Sequence, residues 1–333
     1  MSLPPLEVVR VRDLMVENPS PTGRPTWRRP AASRAPVRHH GDRHRRRREP
    51  LLGGHDRRRE PGSFARIIAG RLSIHEATRA EEKPDLEALT ILPPFERNAH
   101  GALLACGSGG VSRGGSRRST GVAFTLDADG SLAGFPCEVD LEPLHVFVER
   151  HVEGPINLEG ICVRGDELLL AQRNSVDEEG RPGQNVLLTL SLARVMESML
   201  SDLTIDADEL LGMRAYDLGH RALEVEGESV EVKLDFTDLD GVSDDPHGRV
   251  AFTAAAEGLR GTPADGRLAG SVVGLIDPDG EIVLQVPVAD PELKLEGLDA
   301  RFDPGSGRID LLLVSDADDP GVPAPLMTAS LPG

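Results

Sequence analysis

Aromatic residues are nearly missing from this chain, with one Trp, one Tyr and eight Phe among 333 residues. Its core must therefore be assembled from Val, Leu, Ile and Ala. Long apolar runs are missing too. No stretch reaches the roughly 18 consecutive apolar residues that a membrane-spanning helix needs. The opening stretch, Met1 to Asn18, is interrupted by Glu7, Arg10, Arg12, Asp13 and Glu17, and so lacks the unbroken apolar centre of a secretion signal. Cysteine is scarce. Cys106, Cys137 and Cys162 are odd in number and widely spaced, and match neither a zinc pattern nor a disulfide framework. These absences predict a cytoplasmic protein with reduced thiols.

Acid is what the chain has in excess, for a net charge of −18. The excess is uneven. Residues 24–60 hold thirteen Arg, no Lys and four acids, which leaves +9 there and −27 on the remainder. A body so acidic repels nucleic acid and anionic membranes, and neither is expected as a partner.

The basic stretch has its own composition, with the only Trp (Trp27), four of the ten His, and no alternation of apolar and polar residues. Three readings compete for residues 24–61: a disordered basic arm, a solvated linker, and a GC-rich gene segment read out of frame. The abrupt change of composition on both sides motivates the third, which would leave a first repeat unit corrupted. The stretch divides the chain into an N-terminal strand region (1–23), the anomalous segment (24–61) and a folded body (62–333).

Glycine (36) and proline (26) recur along the body rather than clustering, as many short strands require. From Lys83 onward the chain repeats loosely, each unit opening on a short strand with an acid beside a small or apolar residue. The openings are Asp85-Leu86-Glu87-Ala88-Leu89, Asn157-Leu158-Glu159-Gly160-Ile161, Asp238-Leu239-Asp240-Gly241-Val242 and Leu295-Glu296-Gly297-Leu298. Aligned on Glu87, Glu159, Asp240 and Glu296, they lie 72, 81 and 56 residues apart. A four-stranded blade takes about 40–50 residues, so longer loops or short helices must fill the rest. Residues 141–151 and 193–200 have the helical spacing for that. The fold expected is an all-β propeller of five to seven blades with short helical insertions. Residues 5–11 supply a β-branched strand able to complete the last blade.

The Leu-Glu-Ala/Gly-Leu/Ile steps, the run Gly165-Asp166-Glu167-Leu168-Leu169-Leu170-Ala171-Gln172-Arg173, and Leu312-Leu313-Val314-Ser315-Asp316-Ala317-Asp318-Asp319-Pro320 resemble an uncharacterised bacterial β-propeller family similar to esterase-like, phytase-type propellers. The likeness covers about residues 83–331. It implies that Glu87, Glu159 and Glu296 face the central channel, whereas the third unit departs from the pattern with Asp240.

A ring of carboxylates on the axis would raise its own pKa values unless a cation intervened, and carboxylate oxygens suit Ca²⁺ or Mg²⁺. Glu87, Glu159, Asp240 and Glu296 are therefore candidate metal ligands. The competing reading pairs them with Arg173 or Arg301, or with backbone N–H groups of the next blade. Gln172, Arg173 and Asn174 end an apolar strand at the expected channel mouth, where they serve either a substrate or blade-to-blade hydrogen bonds. The acids at 238, 240, 244, 245, 316, 318 and 319 lack EF-hand spacing and read first as turn residues. Gly110-Val111-Ser112-Arg113-Gly114 satisfies a nucleophile-elbow pattern only formally, in a loop dense in Gly and Ser. The same loop, with Arg113, Arg117 and Arg118, would alternatively cradle phosphate. Two functions follow: a metal-assisted hydrolase of small phosphoesters or esters at the channel, or a non-catalytic propeller that binds a ligand or a protein.

Overall fold

The run Leu168-Leu169-Leu170-Ala171 shows no alternation, because both of its faces are covered. Leu168 and Leu170 face one apolar cluster, while Leu169 and Ala171 face another. Side chains of a strand point alternately to opposite faces, so a strand sandwiched between two sheets reads as continuously apolar. That pattern repeats through the computed structural model of the protein, which describes residues 4–14, 84–112, 114–152, 154–175, 183–259, 262–316 and 322–333, with His75 and Thr78. The Arg-rich segment 24–61, Arg113, Asp318 and Asp319 lie outside the described residues.

The described chain forms four antiparallel four-stranded blades. The first is β2 (Leu86–Leu92), β3 (Ala102–Gly107), β4 (Thr120–Leu126) and β5 (Leu132–Asp140). The second is β6 (Leu158–Arg164), β7 (Glu167–Gln172), β8 (Asn185–Ser191) and β9 (Leu210–Tyr216). The third is β12 (Asp235–Gly241), β13 (Val250–Glu257), β14 (Leu268–Ile276) and β15 (Ile282–Pro287). The fourth is β16 (Leu295–Asp303), β17 (Arg308–Ser315) and β18 (Pro325–Pro332), with β1 (Val9–Asp13) paired antiparallel on β18 as its outer strand. The hairpin β10 (His220–Val225) and β11 (Glu228–Lys233), a two-stranded sheet of its own between the second and third blades in the chain, packs against β13 and β14 of the third.

Four blades among the described residues are fewer than the five to seven expected from the spacing. The long intervals hold insertions instead of further blades. Helix α1 (Glu142–His151) follows the first blade, and helix α2 (Leu192–Ser201) with the β10–β11 hairpin lengthens the second. Both helices fall where the spacing placed them. The hairpin turns at Glu226 and Gly227, both with positive φ, the conformation a tight two-residue turn demands.

The innermost strands β2, β6, β12 and β16 stand side by side in that order. Three apolar clusters fill the spaces between successive blades: Leu104, Leu158 and Leu188 in the first, Phe236, Phe252 and Leu169 in the second, Leu275, Leu295 and Leu311 in the third. Aromatic packing is confined mainly to the second, where the Phe236 and Phe252 rings meet edge to face at 5.4 Å. Two glycines set the close approach of β6 to β12. A Cβ on Gly160 would stand 2.6 Å from the Leu239 backbone nitrogen, and one on Gly241 would run into the Val163 carbonyl.

Candidate functional site

Each inner strand begins with the same irregularity. The pairing register slips between Leu86 and Ala88, between Leu158 and Gly160, between Phe236 and Asp238, and between Leu295 and Gly297. A bulge inserts one unpaired residue and re-aims its side chain. The bulged residues are Glu87, Glu159, Thr237 and Glu296. The third blade therefore offers Thr237 at the position where the other three carry Glu, and Asp240 lies three residues beyond it. The string Asp-Leu-Asp-Gly imitates Asn-Leu-Glu-Gly in sequence, but the pairing of Phe236 with Ala254 fixes the register otherwise. Thr237 is buried and its hydroxyl donates to Thr253 at 2.9 Å.

Asp240 instead accepts the backbone N–H of Ala300 at 2.7 Å, and Asp238 that of Leu298 at 2.8 Å. Both carboxylates thus stitch β12 to β16 of the next blade. Burial pushes Asp240 up to about 8, against the pull of the Ala300 N–H, and pushes Asp238 well above its ordinary value.

The bulged glutamates belong to an ionic cluster at the end of the axis where the inner strands start. Glu159, 7% exposed, receives Asn157 Nδ2 at 2.6 Å and Arg173 Nη1 at 3.3 Å. Arg173 also reaches Glu257 at 2.9 Å. Lys294 lies 3.1 Å from both Glu257 and Glu296. The chain of contacts Glu159–Arg173–Glu257–Lys294–Glu296 spans the second, third and fourth blades. Glu87 of the first blade acts on it electrostatically, since its charge and that of Glu296 add to the burial that lifts Glu159 to about 8, while Arg173 opposes the rise. Burial also raises Glu257, but Lys294 and Arg173 outweigh it and hold its carboxyl below the usual value.

Gln172, Arg173 and Asn174 differ in role. Gln172 is fully buried and bonds only local backbone, accepting from Asn157 N at 2.8 Å and donating to the Pro155 and Arg173 carbonyls. Arg173 bridges two blades. Asn174 donates through Nδ2 to Asp235 Oδ2 at 3.4 Å, and Asn185 Nδ2 donates to the other oxygen at 3.1 Å. Asn174 Oδ1 has no hydrogen-bond partner although the residue is 2% exposed. Burial raises Asp235 to about 6, with Arg173 opposing.

Among the described residues, no group of three or more His, Cys, Asp or Glu is placed to hold a metal ion. Arg301 pairs with Asp244 at 3.4 Å, and Asp245 holds Arg249 through both oxygens at 2.8 Å. In the Gly-Ser loop, Ser112 Oγ accepts the Ser116 N–H at 3.1 Å inside its own turn. Arg117 is held by Glu149 at 2.6 Å and Glu142 at 3.4 Å, and Arg118 by Asp85 at 2.6 Å.

Three residues here carried no signal that singled them out in the sequence. Glu257 closes an Ala-Ala-Ala run, and Lys294 precedes the Leu-Glu step where the other openings have Asp85, Asn157 and Asp235. His145 on α1 is fully buried, lies so close to Gly109 that a Cβ there would meet its ring, and has no hydrogen-bond partner on either nitrogen among the described residues. Burial, helped by Arg117, lowers it to about 3.

A family model described as a family of unknown function, DUF6910, matches residues 79–320. The chain belongs to this family. The match takes in all four inner strands and every residue of the ionic cluster, so the axial end of this DUF6910 protein lies wholly within the family's span. No curated protein matches the chain.

Proposed function

We propose that this DUF6910 protein is a binding propeller whose small-molecule ligand sits at the axial end, over Glu159, Arg173, Glu257, Lys294 and Glu296. The observation that carries this reading is a half-buried to buried ionic cluster built by three blades at the point where four inner strands converge. Buried ion pairs stabilise a fold no better, and often less, than apolar packing of the same volume. Small ligands are oriented by a few convergent polar groups, and the side chains from three blades converge here.

The hydrolase reading, with Ca²⁺ or Mg²⁺ as its cofactor and a phosphoester or ester as its substrate, draws less support. One of the acids it would use, Asp240, is committed to a backbone N–H group, as is its neighbour Asp238. Arg117 and Arg118, which a phosphate cradle in the Gly-Ser loop would aim at the anion, are paired with acids. Among the described residues, Ser112 Oγ is engaged by the Ser116 N–H and not by a base.

A thermal-shift survey of common metabolites on the wild type and on Glu159→Gln tests the proposal. Compounds that raise the melting temperature of the wild type should lose most of that effect in the variant. Equal shifts in both proteins would place binding elsewhere. Turnover of nitrophenyl phosphate or acetate that needs Ca²⁺ or Mg²⁺ and disappears in Glu159→Gln would replace binding by hydrolysis.

A further inference from the structure

Two buried carboxylates of β12 use both of their oxygens. Asp235 accepts Asn185 Nδ2 on Oδ1 and Asn174 Nδ2 on Oδ2. Asp238 accepts the Leu239 N–H on Oδ1 and the Leu298 N–H on Oδ2. Glu159 is held differently. Both of its donors, Asn157 Nδ2 and Arg173 Nη1, fall on Oε1. Among the described residues Oε2 has no partner, and it is not one of the sealed atoms left without one, so solvent reaches it. The opening is narrow, since the residue is 7% exposed. An oxygen that already faces two N–H donors has no place for a proton, which the donors would meet head on. The proton of a neutral Glu159 therefore has one seat, on the open oxygen. When it leaves, the two donors on Oε1 stabilise the carboxylate. Arg173 after β7, Glu296 on β16 and Glu87 on β2 act on the group, and Glu257 and Lys294 stand one contact further along the cluster. Burial, with Arg173 opposing, holds the proton on up to about 8, so both forms are within reach near neutral pH.

We infer that Glu159 is the proton-exchanging residue of the axial end, giving its proton from Oε2 to a bound molecule and taking it back there. The O–H bond at Oε2 breaks as a bond forms between the proton and a lone pair on the molecule's oxygen or nitrogen. The carboxylate left behind keeps Asn157 and Arg173 on Oε1. This rests on the reading of the axial end as a ligand site.

A water-soluble carbodiimide reads this directly, because its nitrogen takes the carboxyl proton before the carboxylate oxygen adds to its central carbon. Treatment of the wild type at pH 7 with carbodiimide and glycine ethyl ester, followed by peptide mass mapping, should modify Glu159 about tenfold faster than Asp235 and Asp238, the scale of one hydrogen bond that need not be broken. A ¹³C titration of the glutamate carboxyl carbons should show one that titrates near pH 8 and is missing from Glu159→Gln. Asn157→Ala should raise that midpoint by about one pH unit, since it removes a donor from the carboxylate. A purely structural role for Asn157 would leave the midpoint where it is. Should Asn157→Ala fold poorly, the labelling of the wild type still decides.

Labelling of Glu159 no faster than that of Asp235 and Asp238 overturns the inference, as does a titration of Glu159 at the ordinary glutamate value. In either event, compounds whose thermal shift needs Glu159 would leave the axial end standing as a ligand site. Fast labelling of Glu159, beside a survey with no such compound, would support the exchanging proton and overturn the ligand reading.

Discussion

Several buried carboxylates here hold their protons more tightly than they would in an unfolded chain, and this gives the protein a pH dependence of definite sign. Burial lifts Glu159 and Asp240 to about 8, from ordinary values near 4. A group whose folded pKa is raised contributes stability that is complete below its unfolded pKa and is lost as pH rises through the folded one. Urea unfolding should therefore show a protein more stable at pH 6.5 than at pH 9, with each such group contributing at most about 1.4 kcal/mol per pH unit. Glu159→Gln should flatten that slope. His145 works in the opposite sense. It is held neutral down to about 3, so its share of stability falls away only as pH drops below the ordinary histidine range. Stability that rose from pH 6.5 to pH 9 would show that these carboxylates are ionised without cost in the folded protein.

The inner strands are the elements that do most to shape the site, and their bulges matter more than their sequences suggest. Each bulge turns one residue out of the ladder at the same end of the axis, which is how Glu87, Glu159 and Glu296 come to influence one another across blades that are otherwise separated by apolar packing. Gly160, next to the second bulge, lets β6 lie against the Asp238–Leu239 backbone. Gly160→Ala would force a Cβ to within 2.6 Å of a backbone nitrogen, and backbone cannot rotate away as a side chain can. The expected loss is about 1–3 kcal/mol, measurable by chemical denaturation. Gly165→Ala serves as the control for glycine replacement in general, since a Cβ there meets nothing, although its positive φ adds a strain of its own. A neutral Gly160→Ala would mean that β6 and β12 are less closely set than described.

At the scale of the whole molecule, the fourth blade joins the two ends of the described chain. β1 pairs with β18 from Val9–Thr328 to Asp13–Pro325, and Leu6 packs into the cluster between the third and fourth blades. Removing residues 1–13 would strip the outer strand from β18 and leave its hydrogen-bonding edge open, a template for pairing with other chains. The truncated protein should melt at lower temperature and form oligomers that light scattering detects. A truncated protein that stays monomeric with an unchanged melt would show that β1 adds little to the blade.

The sequence alone determined that this is a β-protein built from repeated units with short helical insertions. Turn residues and short apolar runs are local signals, and helices α1 and α2 announced themselves by spacing. It also brought Glu87, Glu159, Glu296, Arg173 and Asn174 into view, because the repeated Leu-Glu step and the end of an apolar strand are visible without a fold. It did not reveal β9, none of whose residues is fully buried and whose Leu211 and Met213 are exposed, since apolar residues on the open face of an outer strand blur the inward–outward alternation. Nor could it reveal that Thr237, not Asp240, takes the place of the glutamates, or that Glu257 and Lys294 join them. Register is decided by which residues of β13 pair with β12, and the ionic cluster by which strand ends meet at the axis. Both depend on neighbours distant in the chain, so only the tertiary structure decides them.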